Sequence, residues 1–342
     1  MNLTYIFFLL TAQKYFLVLN INLLKKILNK FNGLHYKQEY LCLANESFTQ
    51  PLHGYLTGNK KVIKDITKLH SFVGYSPVAF AFVPGSIPGD EMIEIVFSHK
   101  IYQPAELLSK KHLLARLEMK NISQFITSEG VVFIYEGVKG NHLFIPGFNQ
   151  LFIQLNNWLY NRKPGNVYLK GNLYKQVQLA YAIPRKICLI TVCNGDLYNH
   201  FPTDLHGQVT EQHYLISLRH EGNACKQVEA AKKIVLSDID ATAYKQVYAL
   251  GKNHMQPLKD RSVFNFAAIH SKNFQLPLAQ NLLWYKELEL QDAFICGIHK
   301  LLLFRIVFQE QVNGEATALM HIHNSYATWR FTHGFSGNYL LR

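Results

Sequence analysis

The sequence predicts a mainly β protein with some helix, in which a small antiparallel barrel in the C-terminal half follows a smaller α+β domain. Apolar, β-branched runs recur between turn residues, as at 187–193 and 214–218, and at least six runs are long enough to be strands. Aromatic residues, among them 23 Phe and 19 Tyr, make up 13% of the chain, and such side chains suit the pleated surface of a sheet. Short antiparallel strands with one or two intervening helices favour a small barrel.

Length and turn residues predict how the chain is divided. Its 342 residues exceed the roughly 250–300 at which single cores stop growing, so two folded domains are expected. The charged tract Arg162–Asn166, which ends in Pro-Gly-Asn, is the predicted boundary. We expect an apolar, amphipathic segment over residues 1–38, an α+β domain of unknown role over 39–164 and the barrel over 168–342. No internal repeat is apparent in the sequence.

The first segment is not expected to span a membrane. Gln13 and Lys14 interrupt its apolar run, which leaves fewer than the ~20 consecutive apolar residues that a spanning helix needs. The segment also lacks the basic region that precedes the apolar core of a secretory signal. Three alternatives remain: an amphipathic helix packed on the body, a helix on a membrane surface, and residues that belong to no folded domain.

Charge and cysteine content limit the classes of function. The net charge of +12 at pH 7 favours an anionic partner, but the lysines are scattered and no nucleic-acid motif is present, so nucleic acid is not expected. The five cysteines form no Cys-x-x-Cys pair, which predicts neither a disulfide framework nor structural zinc. His321 and His323 would share one face of a strand, but no third ligand lies nearby, so no metal site is predicted. A reducing, cytoplasmic setting fits these features.

Strand and helix signals alternate in the N-terminal domain. The predicted strands are Pro77–Val83, Met92–Ser98, 131–135 and 142–145. Pro104 suits the first position of a helix, and the leucines after it predict a helix that ends near Met119. A second helix is predicted at Phe148–Tyr160. This half carries no group of residues of catalytic type.

The candidate site begins in the stretch Pro184–Lys233. Asn194-Gly195 follows a strand and favours a type I′ hairpin turn, after which the polar residues 199–207 are expected to form a loop. The strand at 214–218 then leads to Arg219 and a short helix. Because a helix start offers unpaired N–H groups and a positive dipole end, this order can build a pocket for an anion such as phosphate.

Later strands complete the predicted barrel. A bridging strand is expected at Gln280–Leu290, after a poorly periodic excursion over 253–277. Ala293–Val312 is the longest β signal in the chain, and Asn313-Gly314 predicts a hairpin turn back to a partner strand at Ala316–His323.

The order of these motifs resembles the flavin reductase-like family of FMN-binding split barrels. The resemblance covers about Pro184–Val312 and rests on the runs PRKICLITV, NHFPTD, HYLISLR, KQVEAAKKIVLSDI and AFICGIHKLLLFRIV in that order. It implies a Greek-key split barrel, a homodimer with FMN at the edge between subunits, and hydride transfer from NADH or NADPH to flavin. No Gly-x-Gly-x-x-Gly follows a strand, so the nicotinamide would bind only transiently, over the flavin.

The resemblance also assigns roles to residues of the site. The residues expected to bind the cofactor are Asn199, Thr203, Asp204, Ser217, Leu218, Arg219, Asn223 and Lys226. His299, in the tract Gly297–His299 that would lie near the isoalloxazine ring, is the expected catalytic residue. From the residues alone, two alternatives stay open: Arg219 pairs with a carboxylate such as Glu221, and His299 faces outward from a strand.

Four positions depart from the family pattern. They are Pro202 in place of Thr, Asp204 in place of Ser, Ala224 in place of Ser or Thr, and Ile298 in place of an acid. Proline removes a backbone donor, and a carboxylate beside a phosphate repels it unless Arg219 or Lys226 neutralises the charge. The alternative function is therefore a non-catalytic split-barrel binding module whose flavin site has been degraded.

Overall fold

The computed structural model describes residues 41–43, 52–145, 147, 150–151, 171–314, 318–322, 326–327, 329, 333 and 339–341. The predicted segment 1–38 and the predicted boundary at Arg162–Asn166 lie outside the described residues, as does almost all of the predicted helix Phe148–Tyr160. Over the described ranges the chain is mainly β with few helices. No helix in these ranges is long and apolar enough to cross a membrane.

Strands account for most of the regular structure. In chain order they are β1 (Leu41–Leu43), β2 (His53–Gly58), β3 (Lys61–Asp65), β4 (His70–Tyr75), β5 (Val78–Phe82), β6 (Met92–Ser98), β7 (Leu113–Thr127), β8 (Gly130–His142), β9 (Arg185–Lys186), β10 (Cys188–Asn194), β11 (Leu197–Thr203), β12 (His206–Gln208), β13 (His213–Arg219), β14 (Lys233–Ile239), β15 (Lys259–Asp260), β16 (Phe266–His270), β17 (Pro277–Ala279), β18 (Leu282–Cys296), β19 (His299–Gln311), β20 (Met320–Ile322) and β21 (Tyr339–Leu341). The α-helices are α1 (Leu173–Ala182), α2 (Asn223–Ala231) and α3 (Tyr244–Ala249), and 3₁₀ turns cover 110–112, 241–243, 250–255 and 261–263.

Two large antiparallel sheets form the body of the protein. The first has seven strands in the order β3-β2-β6-β7-β8-β5-β4, and we call these strands the first array. The second has eight strands in the order β12-β13-β19-β18-β14-β10-β11-β15, and we call all of them except β15 the second array. Two smaller sheets, β21-β1-β20-β9 and β16-β17, complete the described strands.

The two arrays have the same topology. If the strands of each are numbered one to seven along the chain, both run 2-1-5-6-7-4-3 across the sheet. Strand β18 begins and ends 169 positions after β7, and β19 begins and ends 169 positions after β8. The hairpin β7–β8 therefore recurs at full length as β18–β19.

Local irregularities of the hairpin recur at the same spacing. The register of β7–β8 shifts at Glu118/Met119 and Asn121/Ser123, and that of β18–β19 shifts at Glu287/Leu288 and Leu290/Asp292. Three backbone N–H to carbonyl hydrogen bonds of the first array also have a counterpart in the second. The bond from Leu143 to Leu114 corresponds to that from Val312 to Leu283, and the bond from Asn121 to Glu91 corresponds to that from Leu290 to Lys232. The bond from Val83 to Leu69 corresponds to that from Ser217 to Leu205. Bulges are specific features of a fold, so their repetition indicates that one arrangement is present twice. The sequence shows this repeat only in part, because β8 and β19 share a single identical residue in register, Val138 and Val307. Strands β7 and β18 share five: Leu113 and Leu282, Leu114 and Leu283, Glu118 and Glu287, Phe125 and Phe294, and Ile126 and Ile295.

The predicted helix from Pro104 to Met119 is wrong. Strand β7 occupies Leu113–Thr127, and Ala115, Leu117 and Met119 are buried while the residues between them are polar. This period of two belongs to a strand, although the spacing of the leucines also satisfies a helix. The strand predicted at 131–135 lies within β8, whereas the strand predicted at 142–145 is wrong, because β8 ends at His142 and residues 143–145 form no strand.

The long strand predicted at Ala293–Val312 is a hairpin. Gly297 adopts a positive φ of 59° in the turn between β18 and β19. The turn predicted at Asn313-Gly314 does not return the chain to β19, because β20 pairs with β1 and β9. The loop predicted over 199–207 is largely strand β11, whereas the hairpin at Asn194-Gly195 is confirmed.

A shared apolar core joins the arrays. The first array contributes Val73, Ala79, Ala81, Phe125, Val132 and Ile134, and the second contributes Val209, Leu215, Cys296, Leu301 and Leu303. Phe125 lies next to the tip of the β7–β8 hairpin, and Leu301 lies next to the tip of β18–β19, so each hairpin tip enters the common core. Burial of this apolar surface holds the second array against the β4–β5 turn of the first.

Candidate functional site

The candidate site lies where β13 ends and α2 begins. Arg219 is the last residue of β13, and Gly222 is the N-cap of α2. Within the described residues no side chain caps this helix start. The first N–H groups of α2 are therefore available to an anionic ligand, and the positive end of the helix dipole lies beside them.

Arg219 is held by a residue of the first array. Its Nε donates to the Tyr75 hydroxyl at 3.0 Å, and its Nη2 donates to the same oxygen. Arg219 is exposed and forms no ion pair within the described part of the chain, so the predicted alternative of a pair with Glu221 is not observed. The guanidinium keeps its charge and its Nη1 donors for a ligand.

His299 lies behind this pair. It is only 2% exposed, and neither ring nitrogen has a hydrogen-bond partner among the described residues. Its ring meets the ring of Tyr75 edge-on, with 4.6 Å between the centroids. The alternative in which His299 faces outward from a strand is therefore wrong.

Burial keeps His299 neutral at physiological pH. Loss of solvent, reinforced by the charge of Arg219, lowers the pKa of His299 from 6.5 to about 4. A neutral imidazole has one N–H donor and one acceptor. His299 can therefore offer either kind of hydrogen bond to a bound group without bringing a charge.

Two predicted site residues form the floor behind Arg219. Ser217 is 3% exposed, and its hydroxyl has no hydrogen-bond partner among the described residues. Leu218 belongs to the apolar core of the second array, where it packs with Ala224 and Cys225 of α2. Thr203, at the end of β11, is also buried. These residues support the site, but Leu218 presents only an apolar side chain.

Asn199 has an internal structural role. Its side-chain nitrogen donates to Gln227 Oε1 at 2.7 Å and to the Asn253 carbonyl oxygen at 3.0 Å. Its Oδ1 accepts from His200 N at 2.8 Å. Asn199 thus ties β11 to α2 and to the 3₁₀ turn at 250–255.

The carboxylate of Asp204 is paired with Arg185 and His321, not with a residue at the start of α2. Its Oδ2 lies 3.0 Å from Arg185 Nη2 and 2.6 Å from His321 Nδ1. Burial alone would raise the pKa of Asp204, but Arg185 and His321 outweigh it and hold the pKa well below its ordinary value. The repulsion expected between Asp204 and a phosphate is thereby reduced, through Arg185 rather than Arg219 or Lys226.

The start of α2 is fastened from outside the array. Asn223 donates through its side chain to the Met255 carbonyl oxygen at 2.8 Å. His254 Nε2 lies 2.7 Å from the Pro202 carbonyl oxygen, so the proline that interrupts the donor pattern still serves as an acceptor. Lys226 is exposed on the first turn of the helix.

Thiolate chemistry does not suit this site. The four cysteines with described side chains form no disulfide with one another. Burial, assisted by Glu229, raises the pKa of Cys225 to about 12, and burial raises that of Cys296 to about 12. Both thiols therefore stay protonated at neutral pH and are poor nucleophiles.

The sequence predicts roles for Arg219 and His299, but it does not indicate which residues contact them. Tyr75 is the last residue of β4 and lies 144 positions before Arg219. Arg185 was only part of the run PRKICLITV, and its partner Asp204 was assigned to the cofactor. Only the run of turn residues around Ser76-Pro77 marks the place of Tyr75 in the sequence.

Comparisons with known proteins return flavin reductases among solved structures. The NADH:FAD oxidoreductase SgcE6 of Streptomyces globisporus is similar at 14% identity and a TM-score of 0.40, over 44% of this chain and 89% of that one. BorF, the flavin reductase component of a bacterial two-component tryptophan halogenase, is similar at 14% identity and a TM-score of 0.40, over 49% of this chain and 96% of that one. An FMN-binding protein from Thermus thermophilus is similar at 16% identity and a TM-score of 0.34, over 37% and 72% of the two chains.

Sequence comparisons give no relatives. No protein-family model matches the chain, and no curated protein matches it. The resemblance to flavin reductase-like proteins is thus found again among solved structures, at low identity and over about half of the chain.

Proposed function

We propose that this chain binds a flavin, with FMN as the preferred form, and passes hydride to it from NADH or NADPH. The proposal rests on one arrangement of residues. Tyr75 holds the exposed guanidinium of Arg219 near the start of α2, which no described side chain caps. His299 lies next to them, and its buried ring nitrogens have no hydrogen-bond partner among the described residues. This arrangement joins an anion-binding end to a neutral hydrogen-bonding end. A flavin nucleotide has a phosphate and a polar ring system that require such a pair.

The described residues fit a phosphate at one end of the site. Arg219 and the N–H groups of α2 are charged and dipolar donors, and Asn223 stands at the first position of the helix. Asp204 is already paired with Arg185, so its charge does not oppose the ligand in full. Asn199, on strand β11, has its hydrogen bonds satisfied within the protein and supports the wall of the site.

The described residues also fit an uncharged polar ring at the other end. A bound flavin supplies the isoalloxazine ring that accepts hydride from a reduced nicotinamide. His299 is neutral, buried and unpartnered, so it can orient such a ring through one hydrogen bond and exclude water from it. Tyr75 contacts the ring of His299 and accepts a hydrogen bond from Arg219, so it links these two residues.

A second candidate function is a binding module that performs no hydride transfer. It is favoured by the internal bonding of Asn199 and the pairing of Asp204 with Arg185, because both side chains are thereby occupied elsewhere. In that case the site would hold an anionic ligand at Arg219 without redox chemistry. Activity with a reduced nicotinamide separates the two candidates.

Three structural expectations belong to the same proposal. We propose that the second array is the Greek-key split barrel that the resemblance implies, although its strands form an open sheet. We also propose two domains, over 39–164 and 168–342. The lack of disulfides among the cysteines with described side chains supports the third expectation, a reducing, cytoplasmic location.

A flavin titration with the purified chain tests the proposal. FMN should quench tryptophan fluorescence and give a visible flavin band that remains with the protein. Arg219→Ala should weaken FMN binding by about tenfold or more, because a charged hydrogen-bond donor to phosphate is lost. Arg305→Ala, on the exposed ion pair with Glu289, is the matched control and should bind as the parent does.

NADH oxidation then decides between the two candidates. A flavin reductase should oxidise NADH or NADPH in the presence of FMN, and His299→Ala should slow this reaction more than it weakens flavin binding. A chain that binds FMN without oxidising either nicotinamide is the binding module. A chain that binds neither FMN nor FAD refutes both flavin functions.

A further inference from the structure

The contacts between the arrays are reciprocal. The tip of the β18–β19 hairpin meets the β4–β5 turn, where Ile298 N donates to the Ser76 carbonyl oxygen at 3.1 Å. The tip of the β7–β8 hairpin meets the β12–β13 turn, where Glu129 accepts from Glu211 N at 2.9 Å and from Gln212 N at 3.0 Å. Glu129 and Ile298 are matched positions, because each is the second turn residue of its hairpin. Each array therefore places its hairpin tip on the matching turn of the other.

Matched strands also touch directly across the interface. Ser71 and Gly207 occupy the same register position in their arrays, since each pairs with the strand that lies next to the long hairpin. A Cβ on Gly207 would lie 1.9 Å from Ser71 Oγ. Contact between equivalent positions is the mark of a twofold interface, here formed within one chain.

A twofold arrangement should create two equivalent sites, but only one has the parts of the candidate site. In the second array, Arg219 and α2 follow β13. In the first array, the segment 83–91 after β5 contains no helix. Val83 and Ser217 are matched positions, because they donate the repeated hydrogen bond. Two residues further along, Gly85 is therefore the counterpart of Arg219. The reciprocal position therefore lacks both the cation and the helix dipole.

Glu129, which matches Ile298, brings a negative charge to the reciprocal contact between the arrays. Its carboxylate accepts from Thr210 Oγ1 and from two backbone N–H groups, and lies 3.1 Å from His213 Nδ1. These donors are already used by a side chain of the protein. A phosphate would meet a carboxylate there instead of an arginine.

The first array contributes instead to the site of the second. Seven residues separate the paired Phe72 and Phe80 in the β4–β5 turn, whereas five separate the matched Gln208 and Tyr214. The longer hairpin end places Tyr75, the last residue of β4, against Arg219 and His299. In place of the second subunit that the resemblance implies, the same chain supplies a residue to the site.

We propose, on the basis of the proposed function, that the two arrays form one asymmetric flavin site per chain, in which Tyr75 positions Arg219 for the phosphate and Glu129 closes the reciprocal site. A single chain is then a complete binding unit. Tyr75 is a positioning residue, since it acts on the ligand through the guanidinium of Arg219.

Titration of the full chain with FMN tests the stoichiometry. The expected result is one FMN per chain, with a Kd that does not change when the protein is diluted. Two FMN per chain would show that the site at Glu129 is open, and one FMN per two chains would show that a second copy is needed; either result overturns the proposal. Absence of binding of both FMN and FAD would instead refute the proposed flavin function on which it rests.

Comparison of FMN with riboflavin tests the role of Tyr75. Tyr75→Phe keeps the ring on His299 but removes the acceptor for Arg219, so it should weaken FMN binding by about fivefold to tenfold. Riboflavin has no phosphate, so its Kd should stay within about twofold. Tyr244→Phe on α3 is the control and should change neither affinity. An equal loss for both ligands, or no loss for FMN, would overturn the positioning role.

Discussion

Gly297 and Ser76 meet where the second array touches the first. A Cβ on Gly297 would lie 2.1 Å from the Ser76 carbonyl oxygen, and the glycine adopts a positive φ of 59°. The next residue, Ile298, donates its backbone N–H to the same oxygen. The absence of a side chain at Gly297 is therefore what allows the hairpin tip to approach the β4–β5 turn that carries Tyr75.

Gly297→Ala should destabilise the protein more than an ordinary glycine substitution in a turn. Gly195→Ala is the matched control, because Gly195 has a φ of 60° in the β10–β11 hairpin and nothing within 4 Å of its Cβ position. The control should cost about 1 kcal/mol from backbone strain alone. Gly297→Ala should cost roughly 2 kcal/mol more, because backbone atoms of the first array must move. Equal losses in chemical denaturation would argue against close contact between the arrays.

His299→Phe should separate stability from function. The substitution removes two buried nitrogens that lack partners among the described residues, and it keeps an aromatic edge against Tyr75. The free energy of unfolding at pH 7 should therefore be unchanged or rise by about 1 kcal/mol. If the chain has the proposed function, hydride transfer should fall, because phenylalanine cannot make the hydrogen bond that His299 is proposed to make to the flavin ring. A large loss of stability would indicate that His299 is bonded in solution.

The same variant should change the response to acid. The pKa of His299 is lowered from 6.5 to about 4, so the folded state resists a proton that the unfolded chain accepts. The stability present above about pH 6.5 should decline as the pH falls towards 4, and this decline should be smaller in His299→Phe. Denaturation at pH 7.5, 6, 5 and 4 measures the difference. Identical pH profiles would contradict the lowered pKa.

Asp204→Asn should show how much the ion pair between Arg185 and Asp204 contributes to the free energy of unfolding. Arg185 is 6% exposed, so loss of its partner leaves a buried cation uncompensated and should cost about 3 kcal/mol. Asp196→Asn, at an exposed turn position, has the same change of charge and should be nearly neutral. Because the pKa of Asp204 is held below its ordinary value of 3.8, the contribution is present above about pH 4 and is lost as the pH falls further. Equal costs for the two variants would contradict the pair.

Glu129→Gln should weaken the contact at the closed reciprocal position. The amide keeps the shape of the side chain but loses the charge that strengthens bonds from Glu211 N and Gln212 N, so a cost of roughly 1–2 kcal/mol is expected. Glu221→Gln, an exposed residue beside the candidate site, is the control and should change stability little. If the variant also gains a second FMN per chain, the carboxylate is the group that excludes it.

Strands and helices that are bounded by clear turn residues or polar tracts were predictable from the sequence. Asn194-Gly195 marked the β10–β11 hairpin, and the apolar run at 214–218 became β13. Helix α2 was also found, because the polar tract from Arg219 to Asn223 separates it from the strand before it. Turn residues and the alternation of polarity act over a few positions, so a single sequence displays them.

The rest depends on contacts that no local pattern reports. The leucines of β7 satisfy the spacing of a helix as well as that of a strand, and only pairing with β6 and β8 decides between the two. The repeat shows in register shifts and backbone bonds along the whole hairpin, whereas identical residues are concentrated in β7 and β18 and are too scattered there to mark a repeat in a single sequence. Tyr75 contacts Arg219 although 144 positions separate them in the sequence, and no pattern near either residue predicts this contact.

The repetition at 169 positions has a consequence for how this site can change during evolution. In an assembly of identical subunits every substitution is made at both equivalent positions, so a residue that favours one site is imposed on the other. Here Ile298 and Glu129 are separate codons, and each hairpin tip can be selected on its own. A glycine that permits close approach and a carboxylate that blocks a ligand can therefore stand at the two related tips of one molecule.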